Sequence, residues 1–281
     1  WNMFQRLIKN DLKENKVSML VIGLFLLLTL TLSFAATRLT VSLTNSIERF
    51  VETAKSPHLL QMHSGSIDRE RLQNFVQQHA EIADWQLTDF VNVEGSAIRI
   101  NGQDSLQDSS QDNGFSNQNQ NFDFLLDQNN QPAQPRPGQV YIPLYYYNSG
   151  KIKIGDKIRV GKLELTVQGF IRDAQMNAGL VSSKRFLISQ TDLQTLKKEA
   201  FASNENLIAF RVHKLSQIST IEQAYKNAEL ESNGPPMITY PTIKMINGFN
   251  DALVILVMEL LVVAIIGITF LCMRFALLTK I

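Results

Sequence analysis

The chain has 281 residues, 27 Lys and Arg against 26 Asp and Glu, and one cysteine. A formal charge of +1 supplies no basic field for nucleic acid, and a lone cysteine excludes a disulfide framework and a cysteine-based zinc site. Hydrophobic residues make up 44%, but they concentrate in two runs near the ends with the polar residues between them, the layout of a membrane protein with one large water-facing domain.

Residues 1–16 carry Phe4, Leu7, Ile8 and Leu12 at helical spacing, with Arg6, Lys9 and Lys13 mostly off that stripe. They read as a cytoplasmic amphipathic helix on the anionic inner leaflet, with a basic disordered tail as the alternative. From Val17 to Thr37 there is no charge. At ~1.5 Å per residue this run, 17–37, spans roughly 31 Å, the thickness of a bilayer core. Backbone groups in lipid must be satisfied within the segment, so the run is expected to be a helix. Ala35-Ala36 offers a weak cleavage site, but the run is too long for a signal peptide. The second span, 251–273, is apolar from Ala252 to Met273 except for Glu259. Basic residues before the first span, and Arg274 and Lys280 after the second, place both termini in the cytoplasm and residues 38–250 outside. Residues 274–281 begin a cytoplasmic segment. Trp1 and the short tail after Arg274 read as cuts through a longer polypeptide.

Beyond the first span, Leu39, Leu43, Ile47, Phe50 and Ala54 continue a helical stripe that Pro57 closes. Ile246, Phe249, Leu253 and Leu256 keep a similar spacing on the returning side. The two stretches are candidate stalk helices, and Leu43, Ile47, Phe50, Ile246 and Phe249 are candidate coupling residues. A helix is expected over Ile67–Ala83 with Ser66 or Asp68 as its cap, then strands over Gln86–Val93 and Ser96–Ile100. Between Asn101 and Gln139, Asn and Gln supply 16 of 39 residues. Such composition buries too little apolar surface to offset its ordering entropy, so 101–121 reads as a disordered polar loop. Phe122, Phe124, Leu125 and Leu126 form a brief apolar anchor after it.

Alternation over Val140–Phe170, through Tyr145-Tyr146-Tyr147 and turns at Gly155-Asp156 and Gly161, describes an antiparallel meander. Asn206–Arg211 reads as a strand and Ile218–Leu230 as a helix. Gly234-Pro235-Pro236 precedes a strand over Met237–Tyr240. The external domain is therefore expected to be α+β, in two lobes interrupted by the polar loop.

No phosphate-cradling loop or nucleophile elbow is present, and no catalytic, cofactor or metal residues emerge. His58, His63, His79 and His213 lack ligand spacing and read as solvated. The run Arg172–Asn177 and the pair Lys184-Arg185 read as an exposed polar loop, and Cys272 as a small hydrophobe within its helix. Glu259 stands out, because a carboxylate near mid-membrane costs several kcal/mol unless it is paired, neutral or facing a polar cavity. Its two readings are a functional or inter-helix contact, and a protonated acid hydrogen-bonded within a bundle.

The order of features resembles the FtsX/MacB-like permease family of bacterial ABC transporters. Gly155-Asp156-Lys157-Ile158 with Leu163–Ile171 is similar to that family's external domain. Phe170–Asn177 and Ser182–Phe186 resemble a Gram-positive branch. The resemblance implies a non-enzymatic permease subunit in a bacterial plasma membrane, with no cofactor of its own. A separate cytoplasmic ATPase would bind ATP and Mg. A second permease copy or paralogue, the lipid bilayer and a peptide or lipid-like cargo would be its other partners. The implied action is mechanotransmission, in which stalk helices move the external domain when the ATPases close. The sequence stops just after the second span, so the cytoplasmic coupling segment and later spans that the resemblance implies are absent from it. A two-span receptor, such as a histidine kinase with its signalling part removed, explains the same spans and domain. The residues that follow Ile281 in the native gene separate the two.

Overall fold

The first apolar run does not end where its apolar residues end. In a computed structural model describing residues 16–107, 110–176, 181–230, 238–239 and 241–278, helix α1 continues unbroken over Lys16–Thr53. At ~1.5 Å per residue its 38 residues reach roughly 57 Å, well beyond a bilayer core. The helix expected over 1–16 lies outside the described residues, Lys16 apart. The chain divides into one unit of 1–47 with 245–281 and another of 48–244.

In the first unit α1 is joined by α6, Pro241–Leu278 (α2 to α5 lie in the second unit). Gly23–Thr53 and Ala252–Phe270 are long and apolar enough to cross a membrane, with windows of mean hydropathy 1.8 and 2.9. Only 11% and 17% of those windows are buried, whereas the core helix of a soluble protein hides most of its apolar surface. Leu24, Phe34, Ile265 and Phe270 are among the large side chains left exposed. Thr29, Ser33 and Thr37 donate their hydroxyls to carbonyls one turn back, so these three polar hydrogens are paired within the helix. The helices meet at Gly267, where an added Cβ would stand 2.8 Å from Phe25 Cε1. Small residues allow such close approach in lipid, where packing replaces the hydrophobic effect.

The second unit, 48–244, is built on one sheet. In chain order its elements are β1 (Leu59–Ser64), α2 (Arg69–Gln78), β2 (Ile82–Val93), β3 (Ile98–Ile100), β4 (Asp104–Ser105), β5 (Asp112–Ser116) and β6 (Gln139–Pro143). There follow α3 (Leu144–Asn148), β7 (Lys157–Val160), β8 (Leu163–Ile171), β9 (Ser183–Ile188), α4 (Gln190–Leu196), β10 (Ser203–Val212), α5 (Ile218–Ala228) and β11 (Ile238–Thr239). The strand order is β11-β1-β10-β2-β5-β9-β6-β8-β7-β3-β4. The expected α+β class is therefore present, between two apolar helices.

Helices α2 and α5 present Leu72, Phe75, Ile221 and Tyr225 to Leu59, Ile208 and Phe210 of β1 and β10. Asp68, one of the two expected caps, accepts from the Arg71 N–H at the start of α2. A second cluster gathers Phe115, Val140, Ile142, Tyr146, Ile158, Leu165 and Phe186 with Leu193 and Leu196 of α4. Two smaller clusters, around Phe90 and Phe122 and around Leu125 and Leu187, complete the core of what is one compact unit on one sheet rather than two lobes.

The polar stretch does not interrupt that unit. Residues 101–121 were expected to be disordered, yet β5 lies within them and joins β2 to β9. It pairs antiparallel with β2 through Val91↔Phe115 and parallel with β9 through Phe115↔Phe186. Phe115 is fully buried, and the buried Asn113 carbonyl oxygen accepts from Tyr146 Oη at 2.5 Å. Buried amides with partners cost little, and two neighbouring strands satisfy the backbone. Residues 108–109 lie outside the described ones.

The meander over Val140–Phe170 is also corrected. Only β7 and β8 form a hairpin, while β6 runs parallel to β8. The three tyrosines form α3 instead of a strand, since Pro143 ends β6 and Tyr146 is drawn into the core. Of the strand expected over Met237–Tyr240, β11 keeps the central two residues; Gly234-Pro235-Pro236, Met237 and Tyr240 lie outside the described ones.

Candidate functional site

Helix α1 ends in a closed cap. Lys55 adopts φ 45°, its N–H bonds the Glu52 carbonyl at 3.0 Å, and the Ser56 N–H bonds the Val51 carbonyl at 3.1 Å. This is the Schellman arrangement, which satisfies the last helical carbonyls before Pro57. The four carbonyls from Ala54 to Pro57 then each receive a donor from the folded domain. The Phe124 N–H bonds Ala54 O at 2.7 Å and the Asp123 N–H bonds Lys55 O at 2.9 Å. The Arg211 guanidinium donates to Ser56 O, and Gln175 Nε2 to Pro57 O at 3.5 Å. Side chains reinforce the grip: Arg172 lies 5.6 Å from the Phe50 ring centroid and Lys55 5.6 Å from that of Phe124. Phe122, Leu125 and Leu126 of the apolar anchor are buried beneath it.

Two of those donors belong to one buried ionic network. Arg185, in the middle of β9, has a fully buried side chain. Its Nη1 reaches Asp123 Oδ2 at 2.7 Å, and its Nε reaches Asp173 Oδ2 at 2.7 Å. Its Nη2 contacts both acids, at 3.3 Å and 2.9 Å. Asp173 also accepts the N–H groups of Gln175 and Met176. The path Lys55–Asp123–Arg185–Asp173–Gln175–Pro57 is thus a closed ring of hydrogen bonds around the helix end.

The two carboxyls titrate in opposite directions. Burial pushes Asp123 up, and Arg185 offsets this only in part. Burial also opposes ionisation of Asp173, but the Arg185 charge and two backbone N–H donors outweigh it and hold that carboxyl below the usual range. The negative charge of Asp173 adds to the rise at Asp123, and the hydrogen-bond donors favour Asp173. Asp173 receives four hydrogen bonds, whereas Asp123 receives three, one of them long.

The run Arg172–Asn177 and the pair Lys184-Arg185 were expected to be exposed. Asp173, Gln175, Met176, Lys184 and Arg185 are instead buried, because β9 is an inner strand and the run packs over it (Asn177 lies outside the described residues). His58 and His63 are not solvated either. His63 is buried with Nε2 3.0 Å from Ser66 O, while His58 Nδ1 accepts from the Val212 N–H at 3.0 Å. Burial, then the Arg211 charge, lowers the His58 pKa to about 4. The neutral ring is favoured in the fold, so the unfolded chain binds the extra proton between pH 6.5 and about 4. Stability is expected to be complete above pH 6.5 and to fall as pH drops through that window. Urea midpoints measured from pH 7 to 4 check this, and His58→Asn, which keeps an acceptor without a titrating ring, should flatten the slope.

Among the sequence candidates, Phe50 is at the junction. Leu43 and Ile47 are half-buried on α1, in the other unit. Ile246 and Phe249 lie on α6, with side chains outside the described residues, as is that of Cys272. Glu259 is exposed on α6 and has no ion pair among the described residues. Among those residues no group of three metal-ligating side chains occurs. Sequence reasoning missed Asp123, Asp173 and Arg185. The available signal was the unbroken apolar triplet Phe186-Leu187-Ile188, which marks a strand buried on both faces with a base at its centre.

The chain matches no family model and no curated protein sequence. Among solved structures it is similar to the periplasmic region of MacB from Actinobacillus actinomycetemcomitans, with 10% identity, coverage of 71% of this chain and 96% of that one, and a TM-score of 0.35. It is also similar to the extracellular domain of the noncanonic ABC-type transporter YknZ from Gram-positive bacteria, with 13% identity, coverage of 65% and 97%, and a TM-score of 0.33. Likeness of this degree identifies neither a family nor an activity.

Proposed function

We propose that this chain is the membrane-anchored, force-transmitting part of an ABC transporter permease, with α1 and α6 as spans and 48–244 outside the cell. The observation that carries the reading is the junction. An uninterrupted helix leads out of the apolar segment and ends in four consecutive carbonyls bonded to the domain. A tether that merely held a domain near the membrane would need no such grip. A transmitting element does, because any slack at its end dissipates the displacement. The ATP-hydrolysing partner supplies the displacement from the cytoplasm, and the exposed apolar faces of α1 and α6 meet lipid or further spans.

The native polypeptide in mild detergent should co-purify with a cytoplasmic ATPase, and the pair should hydrolyse ATP in lipid. Phe124→Pro removes the N–H that holds Ala54 O, and should leave ATP turnover in place while transport falls about tenfold, a coupling loss of about 1–2 kcal/mol. A native gene running on into a signalling kinase, or an external domain shielded from protease on intact cells, would sink the proposal.

A further inference from the structure

Between Pro137 and Leu163 the chain carries Lys151, Lys153, Lys157, Arg159 and Lys162 against a single acid, Asp156. Strand β7 places two of them, Lys157 and Arg159, on one outward face of the sheet. Arg99 of β3 is the direct register partner of Arg159 of β7, and Arg159 that of Glu164 of β8. Two residues along β7, Lys157 stands opposite Thr166 and donates to its hydroxyl at 2.7 Å. Arg99, Lys157 and Arg159 are exposed, whereas the residues alternating with them, Ile98, Ile100, Ile158 and Val160, are buried. This face is therefore polar and carries no helix among the described residues, while α4 packs on the other.

Like charges directly opposite on a sheet repel, with side chains about 5 Å apart. Glu164 relieves one arginine through a 2.8 Å ion pair with Arg159 Nη2, and no carboxylate pairs with Arg99 among the described residues. Two acids in the adjoining turns accept from neutral donors. Asp156 accepts from Asn101 Nδ2 and the Lys153 N–H, and Glu199 from the Lys162 N–H. A sheet that places two arginines side by side and leaves one without a counter-charge has a surface that an external anion completes.

We infer that the outward face of β3, β7 and β8 binds an extended, phosphate-bearing polymer outside the membrane. The reading stands on this surface alone and does not require the permease assignment. The cations lie on a grid: neighbours across strands are about 5 Å apart, and Lys157 and Arg159, two residues apart along one strand, about 6.7 Å. They lie on an exposed sheet face, so a chain of anions laid across it meets more of them than one compact anion. A lipid surface fits less well, since the exposed large apolar side chains between Gln139 and Ile171 are only Tyr147, itself stacked on Phe170, and Ile154.

The test uses the whole chain in nanodiscs of neutral phosphatidylcholine, with fluorescently labelled polyphosphate as the probe and anisotropy as the readout. With about three phosphates neutralised, a fourfold rise in salt should weaken binding roughly 20-fold. The double variant Arg99→Gln/Arg159→Gln should lose about tenfold in affinity and show a shallower salt dependence at an unchanged melting temperature. Arg69→Gln/Lys226→Gln, on α2 and α5, should bind as the parent does. No binding by the parent chain, or equal losses in both double variants, would overturn the inference. Binding that appears only when the nanodiscs contain phosphatidylglycerol, with polyphosphate ignored, would overturn it in favour of a lipid partner.

Discussion

Replacing Arg185 by methionine is expected to destabilise the external domain by about 3–5 kcal/mol, the cost of removing one partner from a buried ion network. The side chain is wholly buried, and its loss leaves Asp123 and Asp173 facing each other with no cation between them. The neutral combination Asp123→Asn/Asp173→Asn/Arg185→Met should recover most of that loss, because it removes the stranded charges as well as the cation. The pH dependence provides a second readout. In the parent protein the lowered Asp173 contributes stability that is present above about pH 4 and disappears as pH falls through its depressed value. The raised Asp123 contributes with the opposite sign. Without Arg185 both acids are raised, so acidifying from pH 7 to 5 should restore stability to Arg185→Met. Urea unfolding of the three proteins across that range checks magnitude and sign together. A variant that unfolds at the parent midpoint would show that the network carries no stability.

Gly114→Val is expected to cost about 3 kcal/mol, the upper end of the usual overpacking penalty. A Cβ at position 114 would lie 1.8 Å from Cζ of Phe90 and 2.2 Å from Cε2, inside a fully buried ring. The glycine is in β5, with Asn92 and Arg185 as its register partners, so neither strand can move aside without breaking a ladder. Phe90→Ala alone should cost about 3–5 kcal/mol as a large-to-small core change. Combined, the two should cost clearly less than the sum of their separate effects, since each removes the other's conflict. Additive losses in a double-mutant cycle would mean that the ring and the glycine are not in contact.

These positions also show where the sequence was readable and where it was not. The long apolar runs were legible because lipid permits only a narrow set of solutions for the backbone. Helices α2 and α5 followed from one-sided periodicity, and the β7–β8 hairpin from alternation about Gly161. Strand β5, Asp112–Ser116, was hidden because a composition rule treats amides as solvated. Here the partners of its backbone come from β2 and β9, and the partner of Asn113 from Tyr146, all distant in sequence. Tyr145-Tyr146-Tyr147 misled in the opposite way: strand propensity lost to the demand for Tyr146 in the core. Asp123, Asp173 and Arg185 could not be joined from sequence, since nothing local ties residues 62 and 12 positions from the arginine to the same guanidinium.

The four bonded carbonyls of Ala54 to Pro57 have a mechanical consequence. Because they succeed one another along the turn leading into β1 and reach donors at Asp123, Phe124, Gln175 and Arg211, a tug on the helix end is shared among them. Contacts arranged that way share tension and must rupture together, whereas the same number in single file would unzip one by one. The attachment should therefore yield abruptly at a threshold force, and transmit smaller pulls without creep.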